Sequence, residues 1–116
     1  MHLESRHIDN VLILAPIDRI DQAHADSFKA ALEPHLSECK AGGTPVVLDF
    51  SGVAYISSVG LRVLMLAARQ VKAQGGKIVI CSLTSLVNEV FEISRFNLVF
   101  AVFPDEDAAL ANLSAQ

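Results

Sequence analysis

The stretch Asp49-Phe50-Ser51-Gly52-Val53-Ala54-Tyr55-Ile56-Ser57-Ser58-Val59-Gly60-Leu61 decides how this chain is read, because an apolar strand delivers two serines to the start of a helix. The first backbone N–H groups of a helix have no partner within it, and its dipole is positive at that end. A hydroxyl placed there can cap the helix, and a phosphoryl group on it would meet a natural anion site. The plain reading of Ser58 is the N-cap; the functional reading is a phosphoacceptor, with Ser57 as the alternative acceptor. The two roles do not exclude each other. Gly60 falls in the first helical turn, where glycine costs about 1 kcal/mol relative to alanine. A bare backbone beside the hydroxyl would let another protein's active site approach it.

The helix read from Val59 to Gln74 carries a second clue. At about 100° per residue, Leu61, Leu64, Met65, Ala68 and Val71 share one side and are expected to face the sheet. Val59, Val63 and Leu66 fall opposite, an apolar stripe on the expected solvent side. Isolated surface apolar residues are ordinary, whereas a contiguous stripe is what a docking surface looks like. Arg62 and Arg69 border it, as solvated face residues or as groups that steer an acidic partner.

Around this segment the pattern is α/β. His2 to Ile8 and the β-branched run Val11 to Ile17 read as a hairpin turning at Asp9-Asn10. Ala23 to Cys39 has helical spacing, with Asp21 as its N-cap, Gly42-Gly43 past its end, and Pro34 as a point where it kinks or splits. Pro45 to Phe50, Lys77 to Cys81 and Leu98 to Phe103 are continuous apolar runs, the signature of strands covered on both faces. Further helices are read at Leu86 to Ser94 and at Asp105 to Leu113, the latter opening after Pro104. The expected architecture is a single α/β domain over residues 1–116, with a mixed, mostly parallel sheet of about five strands, about four helices and right-handed crossovers.

Composition narrows the function. The 116 residues are 52% hydrophobic and 19% charged, with a formal charge of −4 and no Lys/Arg cluster. That balance disfavours nucleic acid and anionic membranes and favours protein partners. Cys39 and Cys81 lack the spacing of a zinc site, and His2, His7, His24 and His35 are scattered, so no metal or cofactor is expected. No His, Cys or second acid is set beside Ser58 by a recognisable motif, and Gly-x-Ser-x-Gly is absent, so the chain reads as no enzyme. No apolar run approaches the roughly 20 residues that span a bilayer, and a cytoplasmic location is expected.

The serine turn resembles the STAS domain of bacterial anti-sigma factor antagonists. Members of that family show an apolar strand ending Asp-Leu-Ser or Asp-Phe-Ser, then Asp-Ser-Ser/Thr-Gly-Leu at a helix start. The counterparts are Asp49-Phe50-Ser51 and Ser57-Ser58-Val59-Gly60-Leu61. Pro16 to Asp21 is similar to the family's Gly-x-Leu-Asp turn, Gly75 to Ile80 to its Gly-Gly-x-Leu strand, and Leu86 to Phe96 to its next helix. Two positions depart from the pattern: Ser57 stands where an acid usually precedes the phosphoserine, and Asp18 where the turn has glycine.

The resemblance implies a STAS-like fold and a phosphorylated serine two residues before the glycine, which is Ser58. It implies that the domain binds an anti-sigma factor that is also a serine kinase, through Asp21, Ser57, Val59, Gly60, Arg62, Val63 and Leu66, and so frees the sigma factor. Phosphorylation would break the complex and a phosphatase would restore it. A different class is a STAS subunit of a phospholipid-trafficking transporter ATPase that never cycles through phosphate. A third is a small-ligand or nucleotide sensor, which no glycine-rich phosphate loop supports. A monomer or weak dimer is expected.

Overall fold

A computed structural model describes residues 3–114. In chain order these form β1 (Leu3–Ile8), β2 (Val11–Pro16), β3 (Asp18–Ile20), α1 (Ala25–Leu36), β4 (Val46–Asp49) and β5 (Val53–Ile56). There follow α2 (Ser58–Ala73), β6 (Ile78–Cys81), α3 (Ser85–Ile93), a 3-10 turn (Phe96–Leu98), β7 (Val102–Phe103) and α4 (Glu106–Ser114). The main sheet has the order β1-β2-β4-β6-β7, with β1 antiparallel to β2 and the other pairs parallel. The hairpin turns at Asp9-Asn10 as expected. Asp9 takes φ 55°, a left-handed conformation that short polar side chains tolerate. His2, the expected start of the first strand, lies outside the described residues.

The apolar runs are explained by a sheet covered on both faces. Leu12, Leu14, Val46, Leu48 and Ile80 point to one side, where Phe28, Leu32, Leu64, Val87 and Phe91 of α1, α2 and α3 pack against them. Their alternates Ile13, Val47, Val79 and Cys81 point to the other, against Ala109, Leu110 and Leu113 of α4. Each side of the pleat is thus buried, so alternation by polarity disappears from the sequence. Burial pushes the Cys81 thiol up to about 11 and raises that of Cys39, so both stay protonated near neutral pH.

Several boundaries differ from expectation. The first helix is Ala25–Leu36, not Ala23 to Cys39. Asp21 is not its N-cap residue; His24 is, while the Asp21 carboxylate accepts the His24 N–H at 3.2 Å. Pro34 neither splits nor ends this helix, which is held through the proline by the buried Leu32 and Leu36 on either side. Beyond the helix, the Gln74 side-chain amide donates to the carbonyls of Leu36 and Cys39, both at 2.8 Å, supplying partners that a helix end lacks.

The run Leu98 to Phe103 is a strand only at Val102–Phe103. Phe96 and Phe100 are both buried, at i and i+4, and the Phe100 N–H donates to the Phe96 carbonyl at 3.1 Å. A helical turn brings both rings into an aromatic cluster with Phe91, whose centroid lies 5.3 Å from that of Phe96. An uninterrupted apolar run does not distinguish this arrangement from a strand.

Val63 is also corrected. It is buried, and the covered face of α2 is Gly60, Val63, Leu64, Ala67 and Val71, rotated by roughly 75° from the expected one at 100° per residue. The cause is α1, which packs beside α2, so that Val63, Leu66 and Ala67 meet Leu32 and Leu36 in a shallow cleft between the helices. Val59 and Leu66 remain exposed.

This orientation predicts opposite outcomes for two neighbouring residues. Val63→Asp is expected to lose about 3 kcal/mol or more in urea denaturation, as an unpaired buried charge does. Leu66→Asp is expected to cost about 1 kcal/mol at most. Equal losses would reject the packing.

Candidate functional site

The serine turn is not an extension of the core strand. β4 ends at Asp49, whose carboxylate accepts the Ser51 N–H at 3.0 Å, and the Val53 N–H closes the turn on the Phe50 carbonyl at 2.9 Å. Asp49-Phe50-Ser51-Gly52 is therefore a tight turn of the kind an aspartate side chain stabilises. The chain leaves it as β5, which pairs in parallel with β3 in a separate two-stranded ladder. β3 is three residues long and opens on Asp18, at φ 68°, so in the sequence it shows only as part of a turn. Asp18 adopts the left-handed conformation that glycine would supply, so this departure leaves the turn intact, and its N–H donates to the Gly52 carbonyl at 2.8 Å.

Ile20, at the end of β3, fixes the helix start. Its carbonyl accepts the Ser57 N–H at 2.9 Å. A Cβ added at Gly60 would lie 2.6 Å from that same oxygen and 2.8 Å from Ile56 Cγ1. Gly60 is buried, so the notion that it stays bare to admit another protein is corrected: it is bare because α2 begins against the backbone of β3.

The two serines have separate roles. Ser57 is the N-cap, with extended backbone, and its Oγ accepts the Gly60 N–H at 3.2 Å. Ser58 is the first residue of α2 and is exposed, and no hydrogen bond to a described residue engages its hydroxyl. The capping role read for Ser58 therefore belongs to Ser57. The amides of Ser58 and Val59 have no acceptor among the described residues, which leaves two N–H groups at the positive end of the helix dipole.

Of the residues expected to meet a partner, Ser58, Val59, Arg62 and Leu66 share the exposed side of α2. Ser57 and Asp21 are half-buried at its base, and Gly60 and Val63 are inside. Beside this face lies a polar cluster. Arg19 stacks over the Tyr55 ring at 4.7 Å, its Nε is 3.4 Å from Asp21, and the Asp21 carboxylate is 2.7 Å from His24 Nδ1. The His24 contact holds the Asp21 carboxyl below its ordinary value, with Arg19 adding to it. The Arg19–Tyr55 contact arises from parallel pairing of two short strands and left no sequence signal; Asp21 and His24, at i and i+3, left a weak one.

The model of the STAS domain matches residues 2–109. The chain belongs to the STAS domain family. This STAS domain is 39% identical over 111 residues to a protein of Bordetella bronchiseptica named as a candidate anti-sigma factor antagonist, BtrV, covering 96% of the chain and 93% of that relative. Its fold matches a crystal structure of a candidate anti-sigma factor antagonist from Thermotoga maritima, with TM-score 0.84 and 21% identity over 95% of this chain and 92% of that one. It also matches the Bacillus cell fate determinant SpoIIAA in its phosphorylated form, with TM-score 0.68 and 12% identity over 97% and 99% of the two chains. The fold is that of anti-sigma factor antagonists, with four helices and a five-stranded mixed sheet. Among the described residues no helix is long and apolar enough to cross a membrane.

Gly60→Ala separates packing from propensity. Alanine is the better helix former by about 1 kcal/mol, yet here its Cβ meets backbone, so unfolding in urea is expected at lower concentration than wild type. A gain in stability would overturn the close contact. Ser57→Ala is expected to lose about 1 kcal/mol as a missing cap does, and Ser58→Ala to stay within about 0.5 kcal/mol.

Proposed function

We propose that this STAS domain is an anti-sigma factor antagonist whose binding to a serine-kinase anti-sigma factor is switched off by phosphorylation of Ser58. The observation that carries the reading is the division of labour at the helix start: Ser57 is engaged as the cap, while Ser58 presents an unengaged hydroxyl to solvent. The fold it shares with SpoIIAA, whose structure in a phosphorylated form is solved, supports it. The domain is the substrate and the kinase is the catalyst, with a phosphatase reversing the reaction.

The docking face is Val59, Arg62 and Leu66, with Asp21 and Ser57 at its edge. Val63 and Gly60 act from within, by holding α2 in place. In the unmodified domain this face offers two exposed apolar side chains and a cation. Phosphorylation adds roughly −1.5 to −2 charges at neutral pH one residue before Val59. The free amides of the first turn stabilise the phosphate on the isolated domain. In the complex the same group would lie in a desolvated contact, which disfavours association.

Phosphopeptide mass spectrometry of the protein from its native cells tests the site. A single phosphate at Ser58, lost in Ser58→Ala, is expected; modification of Ser57 alone, or no phosphate under any growth condition, would overturn the assignment. With the kinase recovered by affinity capture on the unmodified domain, Val59→Asp is expected to weaken binding at least about tenfold, the loss of one well-placed contact, with circular dichroism unchanged.

A further inference from the structure

The most exposed large apolar side chains are not on α2. Ile93 is 85% exposed, Leu98 78%, Leu86 49% and Val99 43%, more than either apolar residue of the α2 face. Leu86 and Ile93, seven apart, lie on one side of α3, and the chain leads from Ile93 through the 3-10 turn directly to Leu98 and Val99. The 3-10 turn packs directly against α3, and exposed apolar side chains grouped on two touching elements are what an interaction surface looks like.

The two flanks of this patch carry opposite charge. On one side α3 contributes Glu89 and Glu92 and no basic residue. On the other, Leu98 and Val99 form one wall of an open groove whose rim holds Arg69, Lys72 and Lys77. Among the described residues none of these five charged groups is in an ion pair. Arg95 stands in the connecting turn, exposed, at φ 59°.

We propose that this surface binds a second copy of the chain in a two-fold dimer centred on Leu98 and Val99. In such a pair the acidic flank of each copy meets the basic flank of the other, twice, around a shared apolar centre. The occupant is a second copy because the chain carries both halves of the complement on adjoining surfaces; a foreign partner would have to reproduce both. Ser58 is eleven residues of helix from Arg69, about 17 Å at 1.5 Å per residue. The dimer therefore leaves the Ser58–Val59 end of each α2 free, with Leu66, one turn from Arg69, at its border, and it does not depend on the reading of Ser58.

Sedimentation equilibrium of the full chain tests this. Wild type is expected to show a reversible monomer–dimer equilibrium between micromolar and millimolar concentration, weakened by salt. Leu98→Asp is expected to reduce association at least about tenfold, while Ser58→Ala leaves it unchanged. The decisive comparison uses two charge-reversed variants, Glu89→Lys with Glu92→Lys and, separately, Lys72→Glu with Lys77→Glu. Each alone places like charges against like and is expected to stay monomeric, whereas an equimolar mixture of the two dimerises. All six substituted positions are exposed, and circular dichroism checks that each variant is folded. A wild type that remains monomeric to millimolar concentration, a Leu98→Asp variant that dimerises as tightly, or a mixture that stays monomeric would each overturn the proposal.

Discussion

The Ile20 carbonyl is where the geometry of the serine turn is set. It accepts the Ser57 amide and stands so close to Gly60 that no side chain fits there. One contact thus fixes the residue before α2 and the residue in its first turn. Between them lies Ser58, held by its neighbours and engaged by neither. Moving α2 away from β3 would break the bond from the Ser57 N–H to the Ile20 carbonyl and alter the direction in which Ser58 and Val59 project.

That contact depends in turn on how the rest of the chain is packed. The β3–β5 ladder lies outside the main sheet, tied to it by the turn at Asp49-Phe50-Ser51-Gly52 and by the buried Phe50. α2 is wedged between the sheet and α1, which covers most of its apolar surface and leaves Val59 and Leu66 exposed on either side of Arg62. The site is thus carried on a rigid element whose orientation is over-determined by burial, while the hydroxyl itself makes no contribution to packing. A modification there changes surface charge without disturbing the core.

Much of the fold was legible because its signals are local. The hairpin at Asp9-Asn10, the helix closed by Gly75-Gly76 and the central strands rest on turn chemistry, capping and apolar runs that act within a few residues. The misreadings share the opposite property. Phe96 and Phe100 look like strand residues until the cluster around Phe91 makes a helical turn the better burial. Val63 looks exposed if α2 has one neighbour and is buried because it has two. β3 is too short to announce itself, and only its pairing with β5 gives it a structure.

The sequence by itself determined the α/β class, the placement of two serines at a helix start and the departure of Ser57 and Asp18 from the family pattern, since these follow from residue type and spacing. Only the tertiary structure decided which serine caps and which is free, why Gly60 is glycine, and which side of α2 faces solvent. Those answers depend on distances between segments far apart in the chain, Ile20 to Gly60 and α1 to α2, and local preference carries no information about them.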